Sequence, residues 1–175
     1  AYKLDESTIL ERLMKPIQIN KIWFQELTEP VKITRTDRGA IPYPFYLASP
    51  ILVEQIKKTP TADWRVEYKW DGIRAQLIKR QTGTYLWSRG EELVNHVFPE
   101  IIEMAEKLPN GTVLDGEILC WQKDEGRPMD FASLQRRLGR KTVSKKLLNE
   151  CPTIFMAYDI LEQKSIDLRT YNLKY

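Results

Sequence analysis

The chain has 175 residues, 42% hydrophobic and 29% charged, the balance of a globular domain with a core rather than of a disordered tail. A single histidine, His96, excludes a histidine-cluster metal site, while the spacing of Cys120 and Cys151 fits no zinc motif and predicts free thiols in a reducing compartment. The formal net charge of +3 is too small to mark a nucleic-acid binder by itself, and no apolar run has membrane-span length.

In chain order, residues 1–30 read as helical. Asp5 can cap a helix whose Ile9, Leu10, Leu13 and Met14 share a face and which Pro16 stops; KIWFQEL adds a turn or two before Pro30. VKITRTDRGAIPYPFYLASP, with three prolines and a glycine, reads as a connector. The expected division is a helical segment and linker over 1–41 and a second unit over 42–175. From Trp64 onward WRVEYKW, AQLIKR, TYLWS, TVLDGEILCW and TIFMAYDIL read as strands. Between them, VFPEIIEMAEKL puts Val97, Ile101, Ala105 and Leu108 on one helical face, and FASLQRRL follows Asp130 as its cap. The order predicts an α+β fold of mainly antiparallel sheets flanked by helices.

Strand alternation in VEYKWDG places Val66, Tyr68 and Trp70 on a face that seeks a core, and Glu67, Lys69 and Asp71 on the other. A lysine between two carboxylates is either half of a solvated ion pair, the commoner case, or a nucleophile. Other strands also carry polar groups near their ends: Arg74, Arg89, Asp115, Glu117 and Tyr158. Strand-end arginines are usually solvated and tyrosines in apolar strands usually core, so each alone decides little. Arg136, Arg137, Arg140, Lys141, Lys145 and Lys146 give six cations in eleven residues, either a solubilising face or a contact for nucleic-acid phosphates.

Together these segments resemble the ATP-dependent DNA ligases, of bacterial type. EYKWDGIR matches the family's K-x-D-G-x-R motif, whose four fixed residues arise by chance on the order of once in a few hundred chains of this length. Ser88-Arg89-Gly90 with FPEI, Leu114-Asp115-Gly116-Glu117 and Tyr158-Asp159-Ile160-Leu161 follow in the family's order, and PYPFYLASP, SLQRRLGRK and DLR match more loosely. The resemblance spans roughly residues 42–169.

It implies a nucleotidyltransferase-type fold and a lysine, Lys69, that attacks ATP to give a covalent lysine-AMP. AMP then passes to the 5′-phosphate of nicked double-stranded DNA, and the nick is sealed. It further implies Asp71 as a catalytic partner, Glu67, Arg74, Arg89, Glu117 and Tyr158 in nucleotide binding, and Asp115 with Glu117 at Mg2+. Arg136, Arg137, Arg140, Lys141, Lys145 and Lys146 would touch DNA. The expected protein is a cytoplasmic, nucleoid-associated monomer with no membrane partner. Residues 1–41 would be the tail of a DNA-binding region, and 42–175 an adenylation domain incomplete at its C-terminus. An ordinary lysine amine, with pKa about 10.4, is protonated at neutral pH, so the chemistry needs cations beside it. No G-x-x-x-x-G-K-[ST] is present, which excludes a P-loop. The alternatives are an RNA ligase or GTP-dependent capping enzyme, which share K-x-D-G, and a non-catalytic nucleotide- or nucleic-acid-binding module.

Overall fold

The structure, a computed structural model, describes residues 39–172. The helices expected within residues 1–30, and the segment 1–41 for all but its last three residues, lie outside the described residues. The elements in order are α1 (Val53–Lys58), a 3-10 turn (Thr61–Asp63), β1 (Ile73–Arg80), β2 (Gly83–Ser88), α2 (Pro99–Ala105), β3 (Thr112–Gln122), β4 (Arg127–Pro128), α3 (Phe131–Gln135), α4 (Lys145–Glu150), β5 (Thr153–Gln163) and β6 (Ile166–Asp167). The sheet runs β2-β1-β3-β5-β6, with β4 pairing the far end of β3, and every pairing is antiparallel. The expected α+β architecture is borne out.

Period-two alternation decides what each face does. Ala75 and Leu77 of β1, Leu86 of β2 and Ile118 and Cys120 of β3 turn toward Phe98, Ile101, Ala105, Leu134 and Leu147, which come from α2, α3, α4 and their flanks. Among the described residues no helix covers the other face, which carries a smaller cluster of Tyr43, Ile78, Val113 and Leu161. Pro99 opens α2; Asp130 and Ser144 cap α3 and α4 by accepting the backbone N–H of Ser133 and Leu147. The α3 helix stops at Gln135, earlier than its apolar stripe suggests, and the chain turns at Gly139 with φ of 69°, a left-handed conformation that glycine adopts freely.

Two expectations are corrected. Residues 64–71 form no strand, and Val66 and Tyr68 are 94% and 86% exposed. Alternation reports a chain with two chemically distinct sides, but a strand also needs a hydrogen-bonded neighbour, and none of the described strands pairs with this segment. Only Trp70 turns inward, its ring 6.5 Å from that of Trp121. The cysteines are not free thiols: Cys120 and Cys151 are joined as a disulfide, their Cα atoms 5.5 Å apart. Spacing along the chain could not show this, because it follows from β3 pairing with β5, which sets Cys120 opposite Thr153, two residues beyond Cys151.

Candidate active site

The site lies at the β1 end that follows residues 64–72. Gly72 joins that segment to β1 under tight constraint: a Cβ there would collide with the Ile118 carbonyl oxygen and come within 2.7 Å of Leu119 Cδ2 and 2.8 Å of Glu117 Cγ. Only glycine lets the segment carrying Lys69 pass this close to β3. Glu67, Lys69 and Asp71 are all exposed. Glu67 pairs with Arg65 at 2.6 Å, and Arg65 also donates to the Tyr158 carbonyl at 3.4 Å, tying the lysine segment to β5.

Register places Arg74 directly opposite Glu117, and Gln76 opposite Asp115, so all four share the face opposite α2, α3 and α4. Arg74 grips Asp115 side-on, Nε to Oδ1 at 3.2 Å and Nη2 to Oδ2 at 2.9 Å. This charge-assisted fork raises the Arg74 pKa further above its ordinary value, against burial. The β3–β5 register slips between Asp115 and Gly116, leaving Tyr158 between residues that have partners. Its hydroxyl donates to Asp115 Oδ1 at 3.4 Å, and burial, then the Asp115 charge, raises its pKa.

Glu117 is the electrostatically uneasy member. Burial raises its pKa, only partly countered by the Gly72 N–H and the charges of Arg74 and Lys69, and Asp115 raises it further. It is a carboxylate short of positive charge. Arg89 is exposed at the end of β2, and its backbone N–H donates to the Arg74 carbonyl at 2.9 Å. Lys69, Arg74, Asp115, Glu117 and Tyr158 are thus linked by contact or by field, Glu67 joins through Arg65, and Arg89 borders Arg74 along the backbone.

The site offers few donors to a divalent cation. Among the described residues no three His, Cys, Asp or Glu side chains group together, and both Asp115 oxygens are engaged by Arg74. Glu117 is not gripped in this way, and a lone carboxylate would fit a hydrated Mg2+ and not an all-protein cage.

The basic stretch divides. Arg136, Arg140, Lys141, Lys145 and Lys146 are exposed, although Arg136 and Lys146 both pair with Glu150. Arg137 is 0% exposed and is removed from the surface set. It pairs with Glu100 and donates to the Val97 carbonyl at 2.6 Å, the Cys151 carbonyl at 3.0 Å and Thr153 Oγ1 at 3.2 Å. Charge counting along the chain treats all six cations alike; the turn after α3 and its partners Val97, Glu100, Cys151 and Thr153 bring Arg137 inward.

Sequence reasoning also passed over Gln76 and the segment it holds, residues 39–46. A glutamine inside the apolar run IRAQLIKR was the available signal, since a buried amide requires dedicated partners.

Residues 46–175 match the family model described as ATP dependent DNA ligase domain. A probable DNA ligase of Koribacter versatilis is 38% identical over 57% of this chain and 17% of its own length; a DNA ligase of Saccharolobus islandicus is 26% identical over 89% of this chain and 26% of its own. The chain thus spans about a quarter or less of these relatives. Among solved structures, the ligase domain of LigD from M. tuberculosis aligns at 31% identity and a TM-score of 0.40, covering 54% of this chain and 28% of that one. With the family model matching well over half of its residues, the chain belongs to the ATP-dependent DNA ligase domain family.

Proposed function

We propose that this chain performs the nucleotidyl transfer of an ATP-dependent DNA ligase, with Lys69 as nucleophile. The Nζ lone pair of the neutral amine attacks the α-phosphorus of ATP. The N–P bond forms as the bond to the bridging oxygen breaks, pyrophosphate leaves with that electron pair, and the amine proton passes to solvent. AMP then moves to the 5′-phosphate of a DNA nick, and the 3′-hydroxyl displaces it to seal the strand. The observation carrying this reading is the charge array around the Lys69 segment: Arg74 oriented by Asp115, Glu117 held short of positive charge, and Tyr158 beside both.

In this reading the Arg74 N–H groups not engaged by Asp115 or by the Tyr46 carbonyl address the ribose or a phosphate, with Arg89 beside it. The Tyr158 ring stacks on the base, Glu67 reads the adenine amino group, and Asp71 orients the lysine. Mg2+, when bound, would sit at Glu117 and the phosphates and offset their charge. Asp115 is the lesser metal candidate because both of its oxygens already accept from Arg74. Arg136, Arg140, Lys141, Lys145 and Lys146 form the DNA-phosphate surface, and the cellular setting is DNA replication, recombination or repair in the cytoplasm.

The test is intact mass before and after ATP with Mg2+, with GTP in parallel and Lys69→Ala as control. One added AMP, absent in the variant, is the expected result. Addition with GTP alone would move the chain to the capping enzymes. No addition with either nucleotide, alongside reversible ATP binding, would leave a binding module.

A further inference from the structure

Residues 39–46 run without regular structure across the sheet face opposite α2, α3 and α4, yet they are held at several points. Arg80 Nε donates to the Gly39 carbonyl at 2.8 Å, and Trp87 Nε1 to the Ala40 carbonyl at 2.6 Å. Gln76, 0% exposed, accepts the Tyr43 N–H at 2.7 Å and returns its amide N–H to the Tyr43 carbonyl at 2.9 Å. One side chain thus imitates a neighbouring strand for one residue of backbone. The Tyr43 hydroxyl donates to Glu162 at 2.9 Å, which Arg80 holds at 2.6 Å, and the Arg169 guanidinium lies 4.1 Å from the centre of the Tyr43 ring.

This strap ends on Arg74. The Tyr46 carbonyl accepts from Arg74 Nη1, and the Phe45 ring centre lies 5.6 Å from the guanidinium carbon. Asp115 takes Nε and Nη2. Three of the five guanidinium N–H groups are therefore engaged, and a rigid fork leaves the remaining two pointing in a set direction. Gln76 follows Arg74 by two residues on the same strand and face, so the amide clamp sets where Tyr46 and Phe45 meet it.

We propose that Gln76 is a positioning residue for nucleotidyl transfer: by clamping the Tyr43 backbone it fixes the strap whose Tyr46 carbonyl and Phe45 ring orient Arg74 toward the nucleotide. The assignment rests on the ligase reading given above. Without the clamp the fork still binds Asp115 but swings about that contact, and its two remaining N–H groups leave the substrate's direction.

The test is a double-mutant cycle on single-turnover adenylation of the full chain with radiolabelled ATP, comparing wild type, Gln76→Met, Arg74→Lys and the double variant. Losing a group that orients a site residue costs on the order of tenfold. The expected result is a loss of that size for Gln76→Met in the wild-type background, chiefly in the maximal rate rather than in KM, and less than about twofold in the Arg74→Lys background. Equal losses in both backgrounds would reduce Gln76 to a structural residue and overturn the assignment. Absence of any loss would overturn it too. If Gln76→Met fails to fold, Phe45→Leu replaces it in the same cycle with the same expected and overturning results. Failure of the wild type to adenylate would overturn the ligase reading and this assignment with it, an outcome distinct from a cycle without coupling.

Discussion

Arg137→Met separates a structural cation from a DNA-binding one. The substitution keeps the aliphatic bulk beside Phe98, whose ring centre lies 5.2 Å from the guanidinium carbon. It strips donors from the Val97 and Cys151 carbonyls and leaves Glu100 without its cation. Removing one partner of a buried pair costs about 3–5 kcal/mol. Three features favour the lower end. Glu100 is 29% exposed, it keeps the Thr153 N–H and hydroxyl at 3.2 and 2.8 Å, and Arg137 Nε already lacks a partner. A loss of about 3 kcal/mol in a chain of this length lowers Tm by roughly 6–12 °C. Urea and thermal melts measure it, with Glu100→Gln/Arg137→Met recovering part because the stranded charge is gone. Affinity of the folded variant for nicked duplex DNA should stay at the wild-type value, while Arg140→Ala/Lys141→Ala should weaken binding and flatten its salt dependence. An unchanged Tm together with weakened DNA binding would refute the buried placement of Arg137.

The same pair sets an acid limit. Burial opposes charge on Glu100, but the bonds from Arg137 and Thr153 outweigh it and lower its pKa below the ordinary 4.5. The unfolded chain therefore takes up this proton first on acidification; the stabilisation is full above about pH 4.5 and declines as pH falls through the folded value. Chemical melts across that range should show the decline, and Glu100→Gln should flatten it. Glu117 behaves in the opposite sense. Its raised pKa means that its charged form opposes folding, so Glu117→Gln should raise Tm at neutral pH, with the gain vanishing under acid conditions where both states are protonated, and should weaken nucleotide binding; a lower Tm would refute the burial argument. Gly72→Ala must push the lysine segment off β3, at about 1–3 kcal/mol in a melt. Because misplacement by an ångström costs about a hundredfold in rate, adenylation should fall far more than stability does, and equal, small losses would refute the close-packing account.

Most strands, their polar ends and the motifs that mark the family were legible before any folding was considered. Each is written locally: alternation shows two faces, Asp130 and Pro99 mark helix starts, and K-x-D-G-x-R keeps its spacing whatever surrounds it. Partners were settled by the fold. Residues 64–71 alternate as a strand does, yet none of the described strands pairs with them. Cys120 and Cys151 meet because β3 lies against β5, a contact between residues far apart in the chain. Arg137 looks like its basic neighbours in sequence but turns inward to Glu100, and both Asp115 oxygens accept from Arg74. Burial and pairing are properties of atoms brought together from distant positions, so charge and spacing along the chain name the candidates, and only the folded sheet settles which of them face solvent or one another.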